Sequence, residues 1–264
     1  MRYFRTRYKR DAAMEIQKEL QKILSRVRAA VERYGMIEDG DLIAVGVSGG
    51  KDSLTMLYSL AALREFLPAK FDIIAVQIDP GFDKSPSIAA PKNDHEAVRA
   101  LCDSLAVRYH VKETELASVI FDIRKESNPC SLCSRMRRGI LTDEAKSLGC
   151  SKIALGHHFD DAAETLMLNL FYEGRIGCFR PVTYLSRSDM TVIRPMILTE
   201  ERMIKSFVKK ASLPVETTPC PEDKYTEREE MKKLLHSLDR QHRGIYRRIV
   251  GALERSGLDG WREE

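Results

Sequence analysis

The sequence has no long apolar run, and none approaches the roughly 18 residues that a membrane-spanning helix needs. Its first residues, MRYFRTRYKR, also lack the apolar stretch of a secretory signal. We therefore expect a soluble, cytoplasmic protein with no membrane partner. The apolar share of 43% is still enough for a sizeable core in a chain of 264 residues.

The chain also lacks a strong net charge, which is only +4, so charge alone excludes little. Basic residues are nevertheless concentrated near the N-terminus, where aromatic residues lie between them: Arg2, Tyr3, Phe4, Arg5, Arg7, Tyr8, Lys9 and Arg10. This mixture is typical of a segment that binds a polyanion through phosphate contacts and base stacking. A solvated terminus explains it equally well.

Cysteine is scarce, with six residues at positions 102, 130, 133, 150, 178 and 220. A disulfide framework is not expected in a cytosolic chain of this size, so a cysteine cluster indicates metal binding or catalysis. Cys130 and Cys133 form a C-x-x-C at the start of a helix, a spacing that suits a redox pair, half of a zinc site or a cluster. Cys220 lies in a polar, proline-containing loop, and we expect the other three to be buried. Three thiolates leave one metal position open, as chemistry requires.

The stretch DLIAVGVSGGKDS, residues 41–53, predicts a buried strand followed by a phosphate-binding turn. Glycines at the start of a helix present backbone N–H groups and the positive end of the helix dipole to an anion. An ordinary strand–turn–helix connection is the alternative. The stretch is not a Walker loop, because Val45 and Asp52 stand where glycine and a hydroxyl are needed. Ser48 excludes the G-x-G-x-x-G dinucleotide fingerprint in the same way.

Strand and helix patterns alternate after residue 41, which predicts an α/β fold with a doubly wound, mainly parallel sheet. We expect strands at 41–47, 71–79, 107–113, 152–157 and 191–194, and helices at 11–34, 53–67, 94–106, 115–125, 134–148, 160–172 and 199–211, with a basic helical tail through 250. The predicted units are residues 1–37 (basic arm and helix), 38–215 (nucleotide domain) and 216–264 (third cysteine and tail). Three polar stretches, 48–53, Asp79 and 156–158, follow strands, so they should share one edge of the sheet.

Several motifs resemble known families. SGGKDS is similar to the pyrophosphatase (PP) loop of N-type ATP pyrophosphatases, which implies AMP transfer rather than kinase chemistry. CSLCSRMRRGIL at 130–141, KIALGHHFDDAAETLMLNLFYEG at 152–174 and Pro219-Cys220 resemble the tRNA 2-thiocytidine synthetase family. The resemblance implies a PP-loop fold, a tRNA sulfurtransferase that uses ATP, Mg²⁺ and a four-iron four-sulfur cluster, and cluster ligands at Cys130, Cys133 and Cys220. Typical members have a second C-x-x-C at the late cysteine, where this chain has Asp223.

The resemblance places the nucleotide loop at 48–53. We hypothesise that Lys51 is catalytic and binds pyrophosphate oxygens together with the Gly49 and Gly50 amides, with Ser48 and Ser53 as further donors. The resemblance implies that the C2 oxygen of a pyrimidine is adenylated and that sulfur then replaces this oxygen. The expected base is cytidine.

The resemblance carries GHH-x-DD onto Gly156–Asp161. Asp52 or the catalytic Asp161 is expected to hold Mg²⁺, and Asp79 to contact ribose or adenine. Arg137, with Arg135 and Arg138 beside it, is expected to bind tRNA phosphates or the α-phosphate, although a solvated helix face explains these arginines too.

Three polar residues of the GHH-x-DD stretch have competing interpretations. Either His157 or His158 is expected to be buried and hydrogen-bonded, with the other facing the nucleotide. Asp160 is expected simply to cap the following helix.

The expected partners are tRNA, a sulfur donor (a cysteine desulfurase persulfide or free sulfide) and a second copy of the chain in a homodimer. Two other functions stay open: 2-thiolation of a uridine, and a cluster-free ATP-dependent tRNA modifier such as a lysidine synthetase. A zinc-stabilised tRNA-binding protein with a vestigial loop is the non-enzymatic alternative.

Overall fold

The computed structural model describes the backbone of residues 2–125, 129–222 and 227–261, and side chains from residue 14 onward within those ranges. The strands are β1 (Leu42–Val47), β2 (Asp72–Asp79), β3 (Arg108–Glu113), β4 (Lys152–Ala154), β5 (Val182–Leu185) and β6 (Met190–Ile193). The helices are α1 (Arg2–Arg33), α2 (Lys51–Leu63), α3 (Glu96–Ser104), α4 (Pro129–Ser147), α5 (Phe159–Tyr172), α6 (Glu201–Ala211), α7 (Glu227–Gln241) and α8 (Ile245–Ser256). Short helical segments cover Phe82–Lys84, Ser118–Arg124 and Leu258–Gly260.

The six strands form one sheet in the order β3-β2-β1-β4-β6-β5. All neighbouring pairs are parallel except β5 and β6, which are antiparallel. The chain winds outward in one direction from β1 and in the other from β4, so the strand order reverses between these two central strands. The predicted doubly wound, mainly parallel α/β fold is confirmed, and a ligand site is expected beyond the carboxyl ends of β1 and β4.

Both faces of the sheet are covered by helices. Side chains of successive strand residues point to opposite faces, so neighbouring residues of β1 belong to different cores. Ile43 and Val45 of β1 join the larger core, which includes residues of α1, α2 and α5 to α8. Ala44 lies between them in sequence and belongs to the second core, where Leu141 and Ala145 of α4 pack. The predicted strand at the start of the glycine turn is therefore buried on both sides.

The largest difference from the predicted helices concerns α4. The helix begins at Pro129, not at residue 134, so Cys130 and Cys133 lie on its first turn and not in the loop before it. Proline is well tolerated at the first position of a helix, where no intrahelical N–H bond is lost. Pro129 is therefore part of the helix.

Other boundaries also differ. The helix α1 extends through the basic segment, so the backbone of the predicted arm is helical; the side chains of residues 2–13 lie outside the described residues. The predicted helix at 115–125 is a short, wide π-type segment, Ser118–Arg124. Strand β5 was not predicted, and the tail comprises two helices that reach Ser256. The three-unit division stays a prediction. Among the helices described, none is long and apolar enough to cross a bilayer.

Candidate functional site

The turn between β1 and α2 is organised by its two serines. Ser53 Oγ accepts a hydrogen bond from the Ser48 amide at 3.1 Å and donates one to the Gly50 carbonyl at 2.9 Å. Gly49 has φ +75°, a conformation that favours glycine. Gly50 caps α2 with no side-chain acceptor among the described residues, so the first amides of the helix face outward. The turn therefore has the conformation of an anion-binding site.

Lys51 lies on the first turn of α2, between two carboxylates. Its Nζ is 2.8 Å from Asp52 Oδ2 and 3.1 Å from Glu201 Oε1. Burial disfavours the ammonium form, but Asp52 and Glu201 more than offset this and raise the pKa of Lys51. The side chain is thus a permanent cation beside the glycine turn.

Asp52 carries an oxygen that suits a metal ion. Its Oδ2 is taken by Lys51, whereas Oδ1 is buried and has no hydrogen-bond partner among the described residues. A buried carboxylate oxygen without a partner is costly in a protein interior, and carboxylate oxygens are ligands that Mg²⁺ prefers. Asp52 therefore fits the predicted magnesium role.

The start of α5 brings His158 and Asp161 to the same place. The Asp161 amide donates to His158 Nδ1 at 3.3 Å, and the His158 amide donates to Asp161 Oδ2 at 2.9 Å. His158 Nε2 lies 3.6 Å from Asp52 Oδ1. Burial opposes the charged form of Asp161, but His158, His157 and Arg228 keep its pKa below the ordinary value. The first turns of α2 and α5 thus meet through Asp52 and His158.

The three predicted cluster cysteines lie within electrostatic reach of one another. Burial raises the pKa of the Cys130 thiol, and Cys220 and Cys133 add to the shift. Burial likewise raises the pKa of Cys220, with a contribution from Cys133. Arg137 opposes both shifts, so it too lies within electrostatic reach. The other three cysteines are buried, as predicted.

The three thiols could hold either a single metal ion or an iron-sulfur cluster. Among the described residues, no three His, Cys, Asp or Glu side chains converge closely enough to hold a single metal ion. A cubane cluster is larger, and each thiolate binds a different iron. Three neighbouring thiols therefore fit a cluster with one iron free of cysteine better than a zinc ion.

The segment that leads to Cys220 lies against the glycine turn. The Glu216 amide donates to the Gly49 carbonyl at 3.0 Å. A Cβ added to Gly49 would collide with Glu216 Oε2. Cys220 follows Glu216 by four residues, which span at most about 14 Å. The cysteines and the phosphate-binding turn therefore lie at the same end of the sheet.

Comparison with known proteins agrees with this arrangement. The family described as "PP-loop domain" matches residues 13–238. The tRNA-cytidine(32) 2-sulfurtransferase of Geobacter metallireducens is 39% identical over 242 residues, which cover 90% of each chain. Its counterpart in Geobacter sulfurreducens is 38% identical over 88% of each chain.

The chain belongs to the PP-loop family, and within it to the tRNA-cytidine 2-sulfurtransferases.

Among solved structures, the U34-tRNA thiolase NcsA from Methanococcus maripaludis, described with its [4Fe-4S] cluster, superimposes with a TM-score of 0.70 at 22% identity. The match covers 91% of this chain and 80% of that one. This similarity shows that the two chains share the PP-loop fold.

Gly156 brings β4 close to the PP-loop. A Cβ at this position would lie 3.3 Å from the Asp52 carbonyl carbon and the Ser53 nitrogen. The glycine therefore allows the chain after β4 to pass directly over the first turn of α2. Its assignment to the nucleotide site stays a prediction, and its visible role is this close approach.

Asp79 lies at the end of β2, but both of its oxygens have protein partners. Oδ1 accepts from the Gly81 amide at 2.9 Å, and Oδ2 is 2.9 Å from His95 Nε2. The other ring nitrogen of His95 contacts Gln77, and both side chains are buried. Asp79 thus shapes the loop after β2, and the predicted contact with ribose or adenine stays a prediction.

The two histidines of the GHH-x-DD stretch are both enclosed. His158 is buried and hydrogen-bonded, as one of the alternatives predicted. His157 packs against Phe179 with ring centroids 4.9 Å apart, and its Nδ1 has no partner in the described part of the chain. Burial, with Arg194 nearby, lowers the pKa of His157 to about 4. The prediction that Asp160 caps α5 was wrong, because the N-cap of α5 is His158. Asp160 instead accepts a hydrogen bond from the Glu201 amide at the start of α6.

Four residues around the PP-loop were missed by the sequence analysis. Glu201, Glu216, Arg228 and Lys232 come from distant parts of the chain and follow no local motif. The high charge of the C-terminal part was the one available signal, since Arg228 contacts Asp161 and Lys232 contacts Glu201.

Proposed function

We propose that the chain is an ATP-dependent tRNA sulfurtransferase that converts the cytidine at position 32 to 2-thiocytidine, with a four-iron four-sulfur cluster held by Cys130, Cys133 and Cys220. The hydrogen bond from Glu216 to Gly49 carries the proposal, because it joins the cysteine segment to the PP-loop. The relatives named above support the base and its position, since they share about nine-tenths of their length with this chain.

The PP-loop binds the β and γ phosphates of ATP. The first amides of α2 donate to the phosphate oxygens, and the Lys51 ammonium neutralises part of their charge. Asp52 Oδ1 is the proposed Mg²⁺ ligand, with Asp161 beside it. A bound Mg²⁺ supplies charge neutralisation of the triphosphate.

The C2 oxygen of the base is a poor leaving group, so it is activated first. The oxygen attacks the α-phosphorus, pyrophosphate leaves, and an oxygen-linked AMP forms at C2. A hydrosulfide then attacks C2, AMP departs with the former oxygen, and the sulfur loses its proton. Cys130, Cys133 and Cys220 would hold the cluster, which would supply the hydrosulfide for this attack.

The exposed arginines after the C-x-x-C are placed to bind the RNA. Arg135, Arg137 and Arg138 lie on α4 beyond Cys133 and are exposed. Arg137 also acts on the electrostatics of Cys130 and Cys220. Guanidinium groups bind phosphates in a forked geometry, so this helix is the proposed contact for tRNA phosphates near the target base.

The remaining partners belong to the same proposal. The sulfur donor is a cysteine desulfurase persulfide or free sulfide, the protein works in the cytoplasm, and the active form is a homodimer.

The experiment that tests the function uses anaerobically reconstituted full-length protein, ATP, Mg²⁺, sulfide and two tRNA transcripts that differ only in cytidine or uridine at position 32. Nucleoside mass spectrometry should detect 2-thiocytidine from the first transcript alone. Thiolation of the uridine transcript would contradict the assigned base.

A Cys220→Ser variant tests the cluster. It should lose the brown cluster absorbance and the thiolation, and it should bind ATP as the parent does, because Cys220 is not part of the PP-loop. Retained thiolation would remove Cys220 from the ligand set.

A further inference from the structure

The buried carboxylate of Glu201 is the centre of an ion cluster that the motifs of the sequence did not reveal. Glu201 is the first residue of α6, and its side chain is only 3% exposed. Three lysines surround it: Lys51 of the PP-loop, Lys205 of α6 and Lys232 of α7. Burial opposes the charged form of Glu201, but these ammonium groups hold its pKa far below the ordinary value.

Two of the lysines share one oxygen. Lys232 Nζ is 2.7 Å from Glu201 Oε1, and Lys51 Nζ is 3.1 Å from the same atom. Lys205 binds the other oxygen, Oε2, at 2.8 Å. Lys51 and Lys232 therefore share Oε1, whereas Lys205 contacts only Oε2.

The shared contact is important because Lys51 is also the proposed ligand of the ATP phosphates. To bind ATP it must turn from Glu201 toward phosphate oxygens. A buried carboxylate that loses its partner is strongly destabilised, which would hold Lys51 in place. Lys232 already occupies Oε1 at the shorter distance, so Glu201 stays paired after Lys51 leaves.

We propose that Lys232 is a positioning residue for ATP binding: it keeps Glu201 paired so that the Lys51 ammonium is available to the phosphates. The inference rests on the proposed function only in that Lys51 binds ATP. It assigns a specific task to α7, the helix that follows the Cys220 segment. Lys232 itself need not touch the nucleotide.

The test measures binding of a non-hydrolysable ATP analogue with Mg²⁺ to the full-length chain by calorimetry. Lys232→Met should weaken binding about tenfold, because a hydrogen bond to a buried charged group is lost and Lys51 becomes the replacement partner of Glu201. Lys233→Met removes the same charge from an exposed neighbouring position on α7 and should leave binding unchanged.

The decisive arm is the double variant Lys232→Met with Glu201→Gln. Glu201→Gln removes the carboxylate that retains Lys51 from the α6 side, and only the contact with Asp52 remains. Binding should therefore recover to within about twofold of Glu201→Gln alone. If Lys232 contacts phosphate directly, or only stabilises α7, Glu201→Gln does not restore binding, and either result overturns the inference.

The outcome is separable from that of the proposed function. A chain that binds the analogue and responds as described, yet makes no 2-thiocytidine, refutes the thiolation and leaves the role of Lys232 standing. A parent chain that binds no nucleotide refutes both.

Discussion

Gly49 is the residue at which the phosphate loop and the cysteine segment meet. Its positive φ favours glycine, and its missing side chain makes room for Glu216. Gly50, the next residue, has an ordinary φ of −77°, and a Cβ there would lie 3.4 Å from Ser48 Oγ. Position 49 therefore favours glycine, whereas position 50 has room and a suitable backbone conformation for a Cβ.

A Gly49→Ala substitution should destabilise the protein by about 1–2 kcal/mol, the cost of a left-handed residue with a Cβ. It should also weaken ATP binding, because the added Cβ shifts the backbone of the phosphate-binding turn. Gly50→Ala is the matched control and should retain most of the stability. Thermal unfolding and calorimetric titration with ATP measure the two effects. Equal behaviour of the two variants would contradict the role given to Gly49.

His157 predicts a pH dependence of stability. Its pKa falls from an ordinary 6.5 to about 4 on folding, because burial and Arg194 disfavour the charged ring. Between these values the unfolded chain binds more protons, so the stabilising contribution is complete above pH 6.5 and is lost as the pH falls toward 4. The loss is about 1 kcal/mol per pH unit. The free energy of unfolding, measured by denaturant titration at several pH values from 7 to 4, should fall less steeply with decreasing pH for His157→Asn than for the parent.

At the residue scale, the sequence predicted side chains that belong to local motifs. Ser48, Lys51 and Asp161 were predicted because their neighbours define the motif. Glu201 and Lys232 were not, since an ion pair between residues far apart in sequence depends on how α6 and α7 pack. A charge on a helix usually faces solvent, so nothing local distinguishes a buried one.

Helices α5 and α6 show how one element fixes the start of another. Asp160 lies on the first turn of α5, and its Oδ2 accepts from the Glu201 amide at 2.7 Å. The N-cap residue of α6, Glu200, makes no side-chain capping bond, and the Asp160 carboxylate instead accepts from the first amide of α6. This contact sets the position from which Glu201 reaches Lys51. The sequence predicted a capping role for Asp160 but assigned it to α5.

Removing this cap should be measurable. Asp160→Ala should lower the free energy of unfolding by about 1 kcal/mol, the usual value of an N-cap, and Asp160→Asn should recover most of it. Denaturant unfolding of the three proteins provides the comparison. If the alanine variant is as stable as the parent, the contact with α6 contributes nothing.

Element boundaries were predicted best where the pattern was strongest. The apolar run of β1 left little ambiguity, whereas β5 has four residues and none of them is fully buried. A short, half-exposed strand has no clear periodicity, so the β5–β6 hairpin could be found only from its pairing. The start of α4 was placed too late, because a proline is compatible both with a loop and with the first position of a helix.

At the scale of the whole molecule, the alternation of strand and helix was sufficient to predict the sheet. Parallel strands joined by right-handed crossovers have few arrangements, and all of them bring polar strand ends to one edge. The path of residues 212–222 could not be predicted, because this segment has no regular structure. It nevertheless decides whether sulfur chemistry and ATP chemistry meet.

The negative charge that Glu216 places over the PP-loop should oppose an incoming triphosphate. Glu216→Gln retains the backbone bond to Gly49 and removes the charge, so ATP should bind a few-fold more tightly, as expected for about 1 kcal/mol of electrostatic repulsion. Glu222→Gln, which removes a charge near Cys130, is the control and should leave ATP affinity unchanged. Titration with ATP measures both, and weaker binding by Glu216→Gln would argue against repulsion.

The bond between Glu216 and Gly49 is made by main-chain atoms. This hydrogen bond is therefore independent of the side chains at positions 217–219. The position of the Cys220 thiol, in contrast, depends on how many residues separate it from Glu216. Thr218 Oγ1 accepts a hydrogen bond from the Cys220 amide at 3.3 Å, so replacing Thr217 should be milder than replacing Thr218. Inserting a single residue there should shift the third thiol out of reach of the other two. The number of residues in this stretch is therefore what the enzyme chiefly has to preserve.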